Sequence, residues 1–489
     1  MAAGAGSHNR ATYIVLCTSV SAYSLLQSLV LPVLPTIQAS LHTSQNAVTW
    51  VLTAYLLSAS IFTPILGRLG DMWGKERMLV IALAALAVGS AMAALSHSIG
   101  LMIVARAIQG VGGGVLPLSF GIIRDEFPKP KVAGAVGVIA GLTAVGGAVG
   151  VVLAGPIVSA LDYHWLFWIP MIALIAAGIA AHIVVPASPI RLPGRLNWPA
   201  VILLSGWLVA LLIAVSEAPT WGWGSARVLG LLVVAVVLGI AWVVVESRSA
   251  QPLIDMAMMR IPVVRTTNLV ALLFGVGLYA TFAFVPEFLQ TSPSNGYGFG
   301  SSVTHSGLIL LPLGTVMFAF SLASGQLTTW VGAKALLVVG STVSIVPVLI
   351  LAVAHGRQWE FGIAMALEGV GFGLAFAAMS SLVVEGVPPS QTGVASGMNA
   401  NIRTIGGSIG AAVVSSIITA SARPDGVPRL AGYVHGFELL TVAAIGAALA
   451  SILVPSARHA LTRAELHDAM PHAELGIVAG GTLFGSDPE

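Results

Sequence analysis

The chain has 489 residues, 57% of them hydrophobic and only 8% charged, with a mean hydropathy of +0.95. A soluble globular domain carries about 25% charged residues, so this composition excludes one and requires burial in lipid. The net charge of +2 is small and its basic residues are scattered, so no nucleic-acid partner is expected. Cys17, the only cysteine, excludes an intramolecular disulfide or a cysteine metal cluster, and the 11 histidines lack metal-ligand spacing, so neither metal nor cofactor is expected.

Apolar runs of about 20 residues are long enough to cross a hydrocarbon core roughly 30 Å thick. Here they are continuous and not alternating, which predicts helices and not the strands of a barrel. Residues 1–12 are short and polar; the first run, 13–35, is too long for a signal peptide and lacks a small-residue cleavage site, so it reads as a retained span. Further spans are predicted at 47–66, 78–96, 100–122, 132–155, 164–185, 197–216, 227–246, 266–287, 304–325, 334–354, 361–384, 392–418 and 434–454. An even number returns both termini to one side. With the N-terminus in the cytoplasm, most Lys and Arg fall in cytoplasmic segments, and only Arg227, Arg357, Arg423 and Arg429 lie outside. Residues 456–489 read as a mixed-charge cytoplasmic tail.

Spans two and three are joined by Gly67-Arg68-Leu69-Gly70-Asp71-Met72-Trp73-Gly74-Lys75-Glu76-Arg77, a concentration of charge in a chain that has little. Its glycines let two helices end in a tight turn, and Asp71 is suited to accept hydrogen bonds or to sit at a helix N-terminus. Span four places Arg106 and Gln109 among apolar residues, ahead of Gly110, Gly112, Gly113 and Gly114. A guanidinium at that depth is costly unless it faces protein or water. Span five carries Gly137, Gly146, Gly150 and Gly155, small residues that permit close helix contact.

Spans seven and eight, flanked by Pro- and Arg-containing segments at 186–199 and 246–262, read as an insertion. Beyond them the first turn recurs in degenerate form, with Gly325, Leu327 and Gly332 standing 258 residues after Gly67, Leu69 and Gly74. Likewise Gly406-Gly407-Ser408-Ile409-Gly410 follows Gly146-Gly147-Ala148-Val149-Gly150 at 260 residues. Elements eight spans apart keep one orientation, so this is a parallel repeat of two six-helix halves around a central cavity. The expected division is a tail over 1–12, an N-terminal bundle over 13–190, two inserted helices over 191–260, a C-terminal bundle over 261–455 and a tail over 456–489.

The Gly-x-x-x-Asp-x-x-Gly-Lys-x-Arg turn resembles the signature loop of the major facilitator superfamily of solute transporters. The Arg106-x-x-Gln109-Gly110 pattern looks like a second motif of that superfamily, linked there to proton transfer. The span-five glycines are similar to its antiporter motif, with Val151 in place of a proline and Ala154 in place of a glycine. The likeness is closest to the fourteen-span drug:proton antiporters and covers nearly the whole chain. It implies an all-α membrane protein of two six-helix bundles plus two inserted helices, with 14 spans. It also implies that Asp71, in the turn with Gly67, Gly74, Lys75 and Arg77, gates the cytoplasmic side through a contact near residues 390–393. One position departs: Leu26 stands where that family has an aspartate in span one, so coupling or cation recognition is not assigned there.

The acids within spans are then the coupling candidates alongside Arg106. Glu368 lies inside span twelve and leads; Glu287 lies near the outer end of span nine, where it is expected at the membrane interface. A carboxyl in a dry setting exchanges a proton as access alternates, which an antiporter needs. Asn399, Asn401 and Arg403 interrupt span thirteen and, with Tyr23, Gln27, Tyr55, Gln109 and Tyr279, are cavity candidates.

Gly406-x-Ser408-x-Gly410 formally matches a hydrolase elbow but sits inside a membrane helix, and no Gly-x4-Gly-Lys-[Ser/Thr] phosphate loop occurs, so no enzyme or ATP-driven pump is expected. The scarcity of lysine beside arginine points to a bacterial source. The combined expectation is a bacterial cytoplasmic-membrane transporter, with both termini inside, acting as a monomer within the lipid bilayer. It exports small amphipathic or cationic compounds against proton entry. The alternatives are an uncoupled or metabolite-specific exporter or facilitator of the same fold, motivated by Leu26, and a non-transporting sensor or scaffold that signals through its tail.

Overall fold

The computed structural model describes residues 2–188, 195–250, 252–387, 392–420, 422–423 and 426–455, and these are helical with no strand. The N-terminal half runs α1 (Ala2–Leu29), α2 (Gln45–Trp73), α3 (Lys75–Ala94), α4 (Ile99–Glu126), α5 (Lys129–Ala160) and α6 (Trp165–Val184). After α7 (Trp198–Trp221) and α8 (Ala226–Arg248), the second half runs α9 (Pro262–Gln290), α10 (Val303–Val331), α11 (Ala333–Val353), α12 (Gln358–Glu385), α13 (Thr392–Ala420) and α14 (Leu430–Ile452). Among the described residues thirteen helices are long and apolar enough to cross a membrane, and the fourteenth, α5, contributes the shorter apolar stretch Val149–Ala160.

Local chemistry explains where the helices depart from the apolar runs. The first run breaks at Leu29, gives a 3-10 turn over Leu31–Val33 and resumes as Leu34–Ser40. Pro32 and Pro35 lack an N–H and disfavour helical backbone in the residue before them. Helix α4 is interrupted by a 3-10 turn at Val111–Gly114. A Cβ on Gly112 would enter the Leu86 side chain, and one on Gly114 would lie 2.6 Å from Leu66 Cδ1, so the glycine run lets α4 press between α2 and α3.

The repeat is visible in the packing. In the first half α1 lies on α5 and α6, α4 on α2 and α3, and α3 on α6; in the second, α9 lies on α13 and α14, α12 on α10 and α11, and α11 on α14. Every pairing recurs eight helices later. The halves meet along α2 with α13 and along α5 with α10, two seams that the repeat exchanges. Helix α7 packs on α8 and also on α13 and α2, so the inserted pair covers one seam only. Only 11% of the most apolar window of α8 is buried, against 72% for α2, which puts α8 at the periphery. The bundle has two ends, the turn side, which carries residues 67–77, and the far side opposite it.

Candidate functional site

The reversal from α2 to α3 pivots on Gly74, whose φ of +111° is a backbone region that side chains avoid. It brings Lys75, 7% exposed, between two acids: Nζ lies 3.1 Å from Asp71 Oδ1 and 2.9 Å from Asp125 Oδ2 at the end of α4. The Lys75 N–H donates to Ser188 Oγ at 2.9 Å, and Ser188 donates its own N–H and hydroxyl to Glu76 Oε2 at 3.0 and 2.8 Å. The Arg77 side chain stays at the surface, 3.9 Å from Glu76. Gly67 has open space where a side chain would stand. Gly67 and Asp71 border a cavity of about 220 Å³ whose other walls include Pro117 and Phe120 of α4 and Val394, Gly397 and Met398 of α13. The expected contact of Asp71 near residues 390–393 falls where side chains lie outside the described ones.

Halfway through the bundle lies a polar layer. Arg106 is fully buried; its Nε donates to Val51 O at 3.0 Å and its Nη1 to Gln109 Oε1 at 2.5 Å, and its Cζ stands 4.4 Å from the centre of the Tyr55 ring. Gln109 passes the chain on to Ser90 Oγ at 3.0 Å. From the other half, Arg403 lies with its Cζ 4.4 Å from the Phe376 ring centre. Gln27 Nε2 donates to the Tyr279 hydroxyl at 2.9 Å, bridging α1 and α9. Tyr23 lies within Coulombic reach of Tyr279, Arg106 and Arg403. The predicted Gln27, Tyr55, Arg106, Gln109 and Arg403 thus come together. Asn399 and Asn401 are used elsewhere, donating to Asn268 Oδ1 at 2.9 Å and to Ser60 O at 3.2 Å. Leu26 is packed into the main apolar core at 1% exposure.

The two intramembrane acids sit apart from this layer. Glu368 is enclosed in the second half; Thr281 Oγ1 donates to its Oε1 at 3.0 Å, and Oε2 has no partner. It borders a cavity of about 20 Å³ lined also by Gly277, Ser344 and Phe372, roomy enough for one water. Glu287, near the far end of α9, is buried between the halves and surrounded by donors. Gln45 Nε2 of the first half donates to its Oε2 at 2.6 Å, and the Tyr433 hydroxyl donates to its Oε1. Around that pair, Thr49 and Ser415 share a bond of 3.0 Å and Gln290 Nε2 donates to Pro32 O at 2.8 Å, so a polar layer joins the halves there.

The span-five glycines lie on a helix contact. A Cβ on Gly146 would come within 2.7 Å of Ser24 Cβ, Gly150 faces Ser28, and Ser28 Oγ donates to Gly146 O at 3.1 Å, so α5 fits closely against α1. Gly155 abuts the Thr304 backbone of α10 across a seam. Gly406 and Gly410 repeat this against Leu272 and Val276 of α9. Gly137 lies in α5, its surroundings outside the described residues.

Several participants have no mark in the sequence reading. Asp125 had one usable signal, an acid beside Arg124 at the end of a span that emerges next to a basic turn. Gln45 and Tyr433 had none, since their partner Glu287 is 242 and 146 residues away.

Residues 16–411 match the sequence model described as Major Facilitator Superfamily. The Tetracenomycin C resistance and export protein of Streptomyces glaucescens is 28% identical, over 85% of this chain and 77% of its own length. Multidrug resistance protein 3 of Bacillus subtilis (strain 168) is likewise 28% identical, over 76% of this chain and 72% of its own. Among solved structures, a D-xylose-proton symporter superposes with a TM-score of 0.64 at 16% identity, covering 91% of this chain and 98% of its own. The nucleoside transporter NupG gives 0.60 at 15% identity, covering 91% and 98%. Profile, relatives and helix arrangement agree: this chain belongs to the major facilitator superfamily and is a multi-pass membrane transporter.

Proposed function

We propose that the protein is a proton-coupled efflux transporter of the bacterial cytoplasmic membrane, moving small amphipathic compounds outward by alternating access. The observation that carries this reading is the contrast between the two ends. On the far side the halves are joined through Glu287 and Gln45, Thr49 and Ser415, and Gln290 and Pro32, whereas on the turn side a cavity of about 220 Å³ separates the 67–77 turn from α13. The excess of Lys and Arg on the turn side supports its being cytoplasmic. Relatives named for tetracenomycin export and multidrug resistance support the outward direction.

In this scheme cargo enters from the turn side and reaches the polar layer of Tyr23, Tyr55, Tyr279, Arg106 and Arg403. The halves then rock about their seams, where Gly155 lets α5 approach the Thr304 backbone of α10 closely. Closure of the turn side separates Asp71 from Lys75 and presents its carboxylate to α13. Glu368 takes one proton when its small cavity connects to the outside and gives that proton up when it connects to the cytoplasm. Leu26, at the position of the family aspartate, favours a second reading of export without coupling.

Inverted vesicles carrying the chain, acidified inside and supplied with a fluorescent dye, separate the two. Proton-driven dye accumulation that a protonophore abolishes, and that is lost in Glu368→Gln and weakened in Asp71→Asn, is expected. Accumulation indifferent to the gradient in the parent protein selects the uncoupled reading, and no accumulation of any dye leaves neither.

A further inference from the structure

We infer that the central layer accepts aromatic organic anions, compounds bearing a carboxylate, sulfonate or phenolate on a ring system, and disfavours lipophilic cations. This deepens the cargo site proposed above and rests on it. Two guanidinium groups, one fully buried and one half-buried, stand in this layer without an acid beside them. Arg106 is 0% exposed, its Nη2 has no hydrogen-bond partner, and its other contacts are neutral: Val51 O, Gln109 Oε1 and the Tyr55 ring. Arg403 lies over the Phe376 ring, half-buried. Among the described residues no carboxylate pairs with either, whereas the 67–77 turn holds its own ion pairs through Lys75 with Asp71 and Asp125.

The acids that could have balanced this layer are committed elsewhere. Glu287 accepts from Gln45 and Tyr433, Glu368 accepts from Thr281, and the span-one position is Leu26. Two positive charges therefore share a poorly solvated layer without a counter-ion, a costly arrangement that an entering anion relieves and an entering cation worsens. The remaining walls are rings: Tyr23 and Tyr279 are half-buried, Tyr23 lies near both cations and Tyr279 near Arg403, and Phe376 backs Arg403. Rings offer apolar faces to a flat cargo, while Arg403 presents a planar fork that matches a carboxylate.

Fluorescein and rhodamine 123 share a xanthene ring and carry opposite charges at pH 7.5, and both report binding to the purified full chain in nanodiscs by anisotropy. Fluorescein is expected to bind at least about tenfold tighter than rhodamine 123, with Arg403→Gln losing about tenfold and Arg403→Lys keeping most of the affinity. Equal or tighter binding of rhodamine 123, binding of neither dye, or fluorescein binding unchanged in a normally eluting Arg403→Gln protein overturns the inference. If that variant does not fold, the dye contrast on the parent protein and Arg403→Lys still decides. Fluorescein binding without proton-driven movement leaves the charge preference standing and removes coupled transport; proton-driven movement of rhodamine 123 alone does the reverse.

Discussion

Replacing Gln45 with alanine should open the far side of the molecule. Its Nε2 donates at 2.6 Å to Glu287 Oε2 across the boundary between the halves, and both residues are buried, at 7% and 8% exposure. A hydrogen bond to a charged group contributes about 1.5–3 kcal/mol. In the sealed state the alanine leaves that oxygen in a dry seam without its donor; in the open state water replaces it. The loss therefore falls on one conformation only, and at 1.4 kcal/mol per factor of ten it shifts the equilibrium about 10- to 150-fold toward opening. Spin labels at Ser40 and Ser294, exposed far-side positions in the two halves, report this by double electron–electron resonance in a Cys17→Ser background. The parent should give one short distance and Gln45→Ala a dominant longer one. Glu287→Gln should shift it less, because two neutral amides can pair. An unchanged distance distribution in a normally eluting Gln45→Ala protein refutes the assignment of this contact as the far-side latch.

Two further outcomes follow from the packing and the turn. Gly150→Ala places a methyl 3.0 Å from the Leu25 carbonyl and against Ser28, an overpacking that costs about 1–3 kcal/mol and should lower the melting temperature and slow transport, whereas Gly147→Ala meets nothing within 4 Å and should leave both unchanged. Lys75→Met removes the cation held by Asp71 and Asp125; breaking a buried pair costs about 3–5 kcal/mol, and the lower end applies because the Asp71 side chain is 30% exposed. Thermal unfolding in detergent should show that loss, with most of it recovered in Lys75→Arg.

Which features were legible follows from the range of the interactions that make them. Helix number and order could be read because a bilayer admits only long apolar runs whose backbone bonds are satisfied internally, a local property. The 67–77 turn and the glycine clusters were also visible, since each acts within a few residues or repeats at a fixed offset. Helix ends were less legible: α1 starts at Ala2 within a polar stretch, and Pro32 breaks a run that hydropathy reads as continuous. Side-chain pairing was not legible at all where partners are distant. Asn399 and Arg403 look alike as polar interruptions of one helix, yet one is taken up by Asn268 of α9 and the other faces the aromatic layer. Glu287 looked like an interfacial acid because nothing nearby identifies Gln45 and Tyr433 as its donors.

The two copies of the turn show which of its properties each half needs. Gly332 holds a φ of +86° between α10 and α11, close to the conformation of Gly74, so the reversal is retained in both halves. The charges are not. The second copy reads Gly325-Gln326-Leu327-Thr328-Thr329-Trp330-Val331-Gly332-Ala333-Lys334, with Thr329 in place of Asp71 and Ala333 in place of Lys75. Backbone geometry is what joins two antiparallel helices tightly, and both halves keep it for the same structural reason. On the gating role proposed above, a carboxylate that changes partners as the halves rock has no such local purpose, and it stands only in the turn whose α2 faces α13 on the seam the inserted helices cover. The opposite seam, between α5 and α10, has no inserted helix over it, and a cavity beside it is lined by Val149, Val152, Leu153, Thr315 and Phe318. In the proposed scheme, charge controls closure at the α2–α13 seam, while the α5–α10 seam moves on apolar and glycine contacts such as that of Gly155 with the Thr304 backbone.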